Sequence, residues 1–237
     1  LQMALRNLDN AYSAFFRGGG FPKFKSKHRR QSIQFPQGVK TDFENSTIFL
    51  PKLKNVSCVF HRKFKGDIKT VTVSRTPTGK YFVSILVENQ KELPKKKPIR
   101  ERTSVGIDMG VKTFATLSDG TVFDNPKHLR KNLRRLRVEQ RKLSRRFKRG
   151  AKEQSKSYQK QKLIVAKLHE HIKNQREDYL HKASTQIIRS FDTVCLEDLN
   201  IKGMMQNEKL ALAIGEVGWH KFKTMLEYKA AWYGKNI

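Results

Sequence analysis

The chain has 237 residues, of which 37% are hydrophobic, enough for one large domain or two modest ones with real cores. Lys and Arg number 50 against 21 Asp and Glu, giving a formal net charge of +29 and an isoelectric point near 10.3. Such charge repels itself unless a polyanion neutralises it, and it runs through the whole chain, which argues against a membrane-surface protein with one cationic segment and for a nucleic-acid partner.

Leu1, Leu5, Leu8, Tyr12 and Phe15 recur at helical spacing, and the glycines of "RGGGFPKFKSKHRR" then stop that helix. The following loop is basic. Its Lys23, Lys25, Lys27, Arg29 and Arg30 are candidates for nucleic-acid contact, while Phe21 and Phe24 read equally well as backbone contacts or core anchors. From residue 32 to 88 the texture becomes strand-like: "SIQFP", "STIFLPKL", "VSCVFHRKF", "IKTVTVSR" and "KYFVSILVE", with "TPTG" as a turn. In the last of these, Tyr81, Val83, Ile85 and Val87 share one face, as a half-buried antiparallel strand requires. The segment "NQKELPKKKPIRERT" has no periodicity and marks a linker. We therefore expect a β-rich domain with one helix over residues 1–98 and a second domain over 99–237.

The second domain opens with a buried strand over residues 103–108, a tight passage at Gly110 and a hairpin through "SDG". A basic helical hairpin follows over about 127–190, broken near "RRFKRGAKEQSKS", with 21 Lys and Arg against 5 Asp and Glu. Leu129, Leu133, Leu136, Val138 and Leu143, then Leu163, Ile164, Ala166, Leu168, Ile172, Leu180 and Ile187, supply its apolar seam. A merely solvated helix face alternates signs, and this one does not, so Arg134, Arg135, Arg141, Arg145 and Arg146 are candidates for phosphate contact. "FDTVCLEDLN" then delivers Glu197 and Asp198 at the end of a strand, as the first strand delivered Asp108. In an α/β or RNase H-type sheet such strand ends converge, and converging carboxylates suit a divalent cation that clamps a phosphodiester. Gly106 and Gly110 would let a nucleic-acid strand approach Asp108.

Other features read more plainly. Trp219, Phe222, Met225, Leu226 and Trp232 are expected to pack the last helix on the sheet. Cys58 and Cys195 read as two buried thiols in a reducing compartment, without a CxxC zinc site. "KLHEHIKN" is not HExxH, and "RGGG" is not a phosphate-binding loop, since no GK[ST] follows. No apolar run approaches a bilayer span, so a cytoplasmic, nucleoid-associated and prokaryotic-like location without membrane contact is expected. The chain begins and ends in segments that read as helical, and both termini read as cut.

"VGIDMGVKTFATLSDG" resembles the first RuvC motif of the TnpB (OrfB) family, transposon-encoded RNA-guided DNA endonucleases related to type V CRISPR effectors. "CLEDLNIKGMM" resembles their second motif, the tail "LALAIGEVGWHKFKTMLEYKAAWYGKNI" the helix after it, and "YSAFFRGGGFPKFKSKHRR" the segment entering their wedge domain. The resemblance implies an α+β or α/β chain: a wedge-like domain, then an RNase H-like (RuvC) domain with an inserted basic hairpin. It makes Asp108 and Glu197 catalytic acids and ligands of Mg²⁺ or Mn²⁺, with guide RNA and double-stranded target DNA as partners. The family's zinc ribbon, the place of any Zn²⁺, and its third catalytic acid have no counterpart in these residues, so this chain alone is expected to bind better than it cuts. Asp198, on the opposite side of the strand from Glu197, reads as a supporting or capping residue. The alternatives are a nuclease-inactive RNA-guided repressor on the same scaffold, and an unguided RNase H-like nuclease or RNA-binding protein.

Overall fold

The computed structural model of the chain describes residues 2–24 and 31–237, leaving aside the side chains of 202 and 208–210. Helix α1 (Gln2–Phe16) is closed by Gly18 and Gly19, whose amides donate to the carbonyls of Phe15 and Ala14 at 3.0 and 2.9 Å. Gly18 has φ +89°, and a Cβ on Gly19 would lie 2.7 Å from the Ala14 carbonyl oxygen, so both positions need glycine. The helix has the expected apolar stripe, yet none of its residues is buried, and Leu5, Leu8 and Tyr12 are exposed.

Two compact units divide the chain, Leu1–Lys91 and Glu92–Ile237. In the first, β1 (Gln31–Phe35), β5 (Asp67–Arg75) and β6 (Tyr81–Glu88) form an antiparallel sheet in the order β1-β5-β6. A second antiparallel sheet is a meander of β2 (Lys40–Asp42), β3 (Thr47–Leu50) and β4 (Lys54–Ser57). Alternation places Ile48 and Leu50 of β3 in one core with Phe35 and Val71, and Val73, Val83 and Ile85 pack against it. Tyr81 departs from its expected half-buried face: it is 67% exposed and carries Arg75 over its ring at 5.7 Å. The expected strand "VSCVFHRKF" pairs only at its start. After Ser57 the chain is irregular because Phe60 and Phe64 turn edge-on to Phe43, with ring centroids 4.8 and 5.1 Å away.

In the second unit the stretch read as a linker is fastened down. The Lys97 amide donates to the Gly234 carbonyl at 3.0 Å, and the ammonium groups of Lys97 and Lys235 both reach Asp192, holding its carboxyl below the usual carboxylate range. The sheet runs β10 (Thr193–Leu196), β7 (Ser104–Met109), β8 (Thr113–Leu117), β9 (Val122–Asp124). β10 lies parallel to β7 and the other pairs are antiparallel. A parallel pair needs a long crossover, which helices α2 (His128–Arg146) and α3 (Lys156–Ser190) supply. Short α4 (Ile201–Met204), α5 (Glu208–Val217) and α6 (Trp219–Tyr233) follow β10.

One side of this sheet is dry: Val105, Ile107, Met109, Ala115, Leu117 and Val194 form one core with Leu180, Ala183, Ile187 and Ile188 of α3 and with Trp219, Phe222, Met225 and Leu226 of α6. Each large side chain withdrawn from water there contributes roughly 1.5–3 kcal/mol. Trp232 does not join them. It is 63% exposed, about a quarter-turn around α6 from the buried row, with its ring 4.7 Å from Tyr228. The final residues also leave the helix: Gly234 caps α6 at φ +63°, and Asn236 pairs in parallel with Thr193. Among the described residues, no helix is long and apolar enough to cross a membrane.

Candidate active site

The buried alternation of β7 decides where Asp108 goes. Ile107 and Met109 face the core, so Asp108 between them projects from the opposite, open side, across from exposed Thr116 of β8. β10 runs parallel to β7 in the register Thr193↔Ser104 to Leu196↔Ile107. Carried one residue further, that register sets Glu197 beside Asp108 on the same side of strands roughly 4.8 Å apart. Both carboxylates are exposed, and neither has a hydrogen-bond or ion-pair partner among the described residues. Asp198, by contrast, is engaged: Lys223 of α6 reaches its Oδ1 at 2.8 Å and keeps its carboxyl below the usual range.

Two neighbouring carboxylates without a cation are a donor set that Mg²⁺ or Mn²⁺ accepts through hard oxygen, with water or phosphate oxygens completing the shell. Among the described residues, no three His, Cys, Asp or Glu side chains converge to hold a metal by themselves. The glycines divide in role. A Cβ at Gly106 would meet only Ser118, at 3.8 Å, so the open side there is unobstructed, whereas a Cβ at Gly110 would lie 2.8 Å from the Thr113 carbonyl oxygen. Gly110 therefore serves the turn of its own chain. Cys195, expected to be buried, is exposed on the open side in register with Gly106, because burial in β10 falls on Thr193 and Val194.

The basic hairpin belongs to the same unit. Leu136 packs on Val165, Leu168 and Ile172, with Leu129 and Leu143 at the margins. The seam thus uses Val165 where the sequence pointed to Leu163 and Ile164, both of which are exposed. Its end is a polar lock. Buried Gln161 donates to the carbonyl and the carboxylate of Glu139, at 3.1 and 2.6 Å, and accepts from Arg146 at 2.6 Å. Buried Glu216 of α5 anchors the other end, accepting from the Arg130 amide at 2.9 Å and facing the Arg130 guanidinium at 3.5 Å. Neither Gln161 nor Glu216 had a sequence signal, since their partners lie 22 and 86 residues away.

Arg134, Arg135, Arg141 and Arg145 are exposed, and Arg130, Arg134, Arg137, Arg141 and Arg145 follow helical spacing along one side of α2. Arg146 is different, being committed to Gln161. Lys23 is exposed, while Lys25, Lys27, Arg29 and Arg30 lie outside the described residues.

Residues 84–208, more than half of the chain and a span that includes β7, the hairpin and β10, match the OrfB_IS605 family, described as "Probable transposase". The chain belongs to this family. Over its whole length this OrfB chain is 37% identical to "Putative RNA-guided DNA endonuclease InsQ" of Escherichia coli (strain K12), covering 61% of that protein. It is also 37% identical to a "Putative RNA-guided DNA endonuclease" of Streptomyces pristinaespiralis, covering 58% of it. The OrfB chain thus spans about three-fifths of the length of these curated relatives. A solved structure, "Cryo-EM structure of the Cas12f1-sgRNA-target DNA complex", aligns with TM-score 0.49 and 16% identity over 88% of this chain and 49% of that one.

Proposed function

We propose that this chain is the larger part of an RNA-guided DNA endonuclease, and that its second unit is an RNase H-like, RuvC-type nuclease domain. The observation that carries the reading is the parallel register of β10 on β7, which ends at Leu196↔Ile107, one residue before two exposed carboxylates, Glu197 and Asp108. The names of the relatives and the row of arginines on α2 support it. In this reading Asp108 and Glu197 hold the cation through their carboxylate oxygens, the space above Gly106 admits the nucleic-acid strand, and the exposed arginines of α2 grip phosphates. A bound Mg²⁺ or Mn²⁺ would supply Lewis-acid polarisation of the phosphate and an activated water. Guide RNA supplies sequence selection by pairing, while the protein holds the duplex by its backbone.

The test is Asp108→Ala and Glu197→Ala in the full-length protein, given guide RNA and matching duplex DNA. Each change removes a carboxylate and no groove contact, so cleavage falls by about a hundredfold or more while RNA and target affinity stay within about twofold. Cutting that persists in both variants would end the assignment.

A further inference from the structure

The small sheet β2-β3-β4 has a second side that its core does not use. With Ile48 and Leu50 turned inward, Phe49 in the middle of the central strand turns outward and is 38% exposed. Its cross-strand neighbours on that side are Lys40 of β2 and Asn55 of β4. A phenyl ring thus sits between an ammonium and a carboxamide in adjacent strands, about 5 Å from each at the level of Cβ. This row forms part of the wall of a concavity of about 760 Å³, to which Lys63, Thr47 and Glu44 also contribute. Such a volume lies within the range of small-ligand sites.

Each wall group suits one part of a nucleotide. The exposed ring offers a face for a base, and stacking of this kind tolerates any base. Asn55 can both donate to and accept from a base edge, while Glu44 can accept from an exocyclic amine. Lys40 and Lys63 supply charge for phosphate. The remaining carboxylate, Asp42, is turned to its own loop, accepting from the Asn45 amide and side chain at 3.0 and 2.7 Å and from the Glu44 amide at 3.0 Å. An acidic peptide would use the lysines but leave the ring and the amide idle, and a chain of net charge +29 is complementary to a polyanion.

We propose that this concavity binds an unpaired nucleotide of a single-stranded nucleic acid, with the base stacked on Phe49 between Lys40 and Asn55 and the phosphates on Lys40 and Lys63. The proposal rests on the nucleic-acid partner argued above and adds a place for unpaired strand in the first unit. Because Phe49 faces away from the core, its replacement leaves the packing of Ile48 and Leu50 in place.

The experiment uses short single-stranded RNA and DNA oligonucleotides of one mixed sequence, each carrying a single iodouracil, with the full chain. Long-wavelength irradiation is followed by mass spectrometric mapping of the cross-link, and affinity is measured in parallel at several salt concentrations. The cross-link is expected on Phe49, and Phe49→Ala weakens binding about tenfold while Phe49→Tyr retains it. Lys40→Gln and Lys63→Gln each lower the slope of log affinity against log salt by about 0.7. A Phe49 cross-link with RNA alone identifies ribose-bearing strand as the ligand, and equal cross-linking with DNA identifies either strand. Cross-links confined to other residues, or Phe49→Ala binding both oligonucleotides as tightly as the wild type, would overturn the site while leaving the nucleic-acid reading intact. Failure of the unaltered chain to bind either oligonucleotide would overturn both.

Discussion

At the scale of single residues, the two glycines flanking Asp108 separate packing from access. An added Cβ at Gly110 meets a backbone carbonyl at 2.8 Å, and a backbone atom cannot rotate away as a side chain could. At Gly106 the nearest atoms belong to the Ser118 side chain, at an ordinary contact distance of 3.8 Å. Gly110→Ala is therefore expected to destabilise the second unit by roughly 1–3 kcal/mol, through strain of the overpacking kind. Gly106→Ala should be neutral, or stabilising by at most about 1 kcal/mol, because it restricts the unfolded chain. Chemical denaturation of both variants checks this, and equal losses would show that the space above Gly106 is not open. Asp108 and Glu197 themselves are legible in the sequence as acids after apolar runs. Their adjacency is not, because it depends on the register of strands 89 residues apart.

At the scale of elements, the hairpin joins a charge pattern to a device that holds it rigid. Buried Gln161 and Glu216 use their hydrogen bonds to fix both ends of α2, which turns a row of flexible arginines into a surface of defined direction. Arg134, Arg141 and Arg145 have no partners among the described residues, so changing all three to Gln should leave the melting temperature unchanged. The same change should lower the slope of log duplex affinity against log salt by up to about 3, since each phosphate contact releases close to one counterion. Arg146→Gln should do the reverse, costing about 1–2 kcal/mol of stability by stripping a charged donor from Gln161, with little effect on the slope. An unchanged slope in the triple variant would mean that this side of α2 faces solvent in the complex.

For the whole molecule, binding and chemistry make different demands. Binding draws on a net charge of +29 spread over the chain, so no single group is indispensable to it. Cutting needs several oxygen ligands at one point, and among the described residues no three His, Cys, Asp or Glu side chains converge. Residues 1–237 are therefore expected to retain salt-sensitive binding to RNA and DNA, while cutting guided target barely above background with Mg²⁺ or Mn²⁺. Gel retention and cleavage assays on the same sample decide the matter. Efficient cutting would mean that another ligand joins Asp108 and Glu197, with Asp198 first to be considered once released from Lys223.

By itself the sequence determined whatever is repeated along the chain at short range. The alternation in β6 from Val83 to Val87, the break between α2 and α3, the turn at Gly120 and the unbalanced positive charge all follow from neighbours a few residues apart, and all are found in the fold. What depended on distant partners was left to the tertiary structure. β2 is the polar stretch "KTD", a strand only because β3 offers it an edge, and Phe60 leaves its expected strand for a ring across the loop. Gln161 and Glu216 are polar residues in the interior, where pattern calls for apolar ones, and their cost is met by hydrogen bonds to groups far along the chain. Cys195 and Trp232 are apolar in type yet exposed, since burial follows the face that a neighbour covers and not the residue's own hydropathy. The candidate site combines both kinds of information: local pattern supplies the two acids, and parallel strand pairing, made possible by the long helical crossover, sets the strands that lead to them side by side.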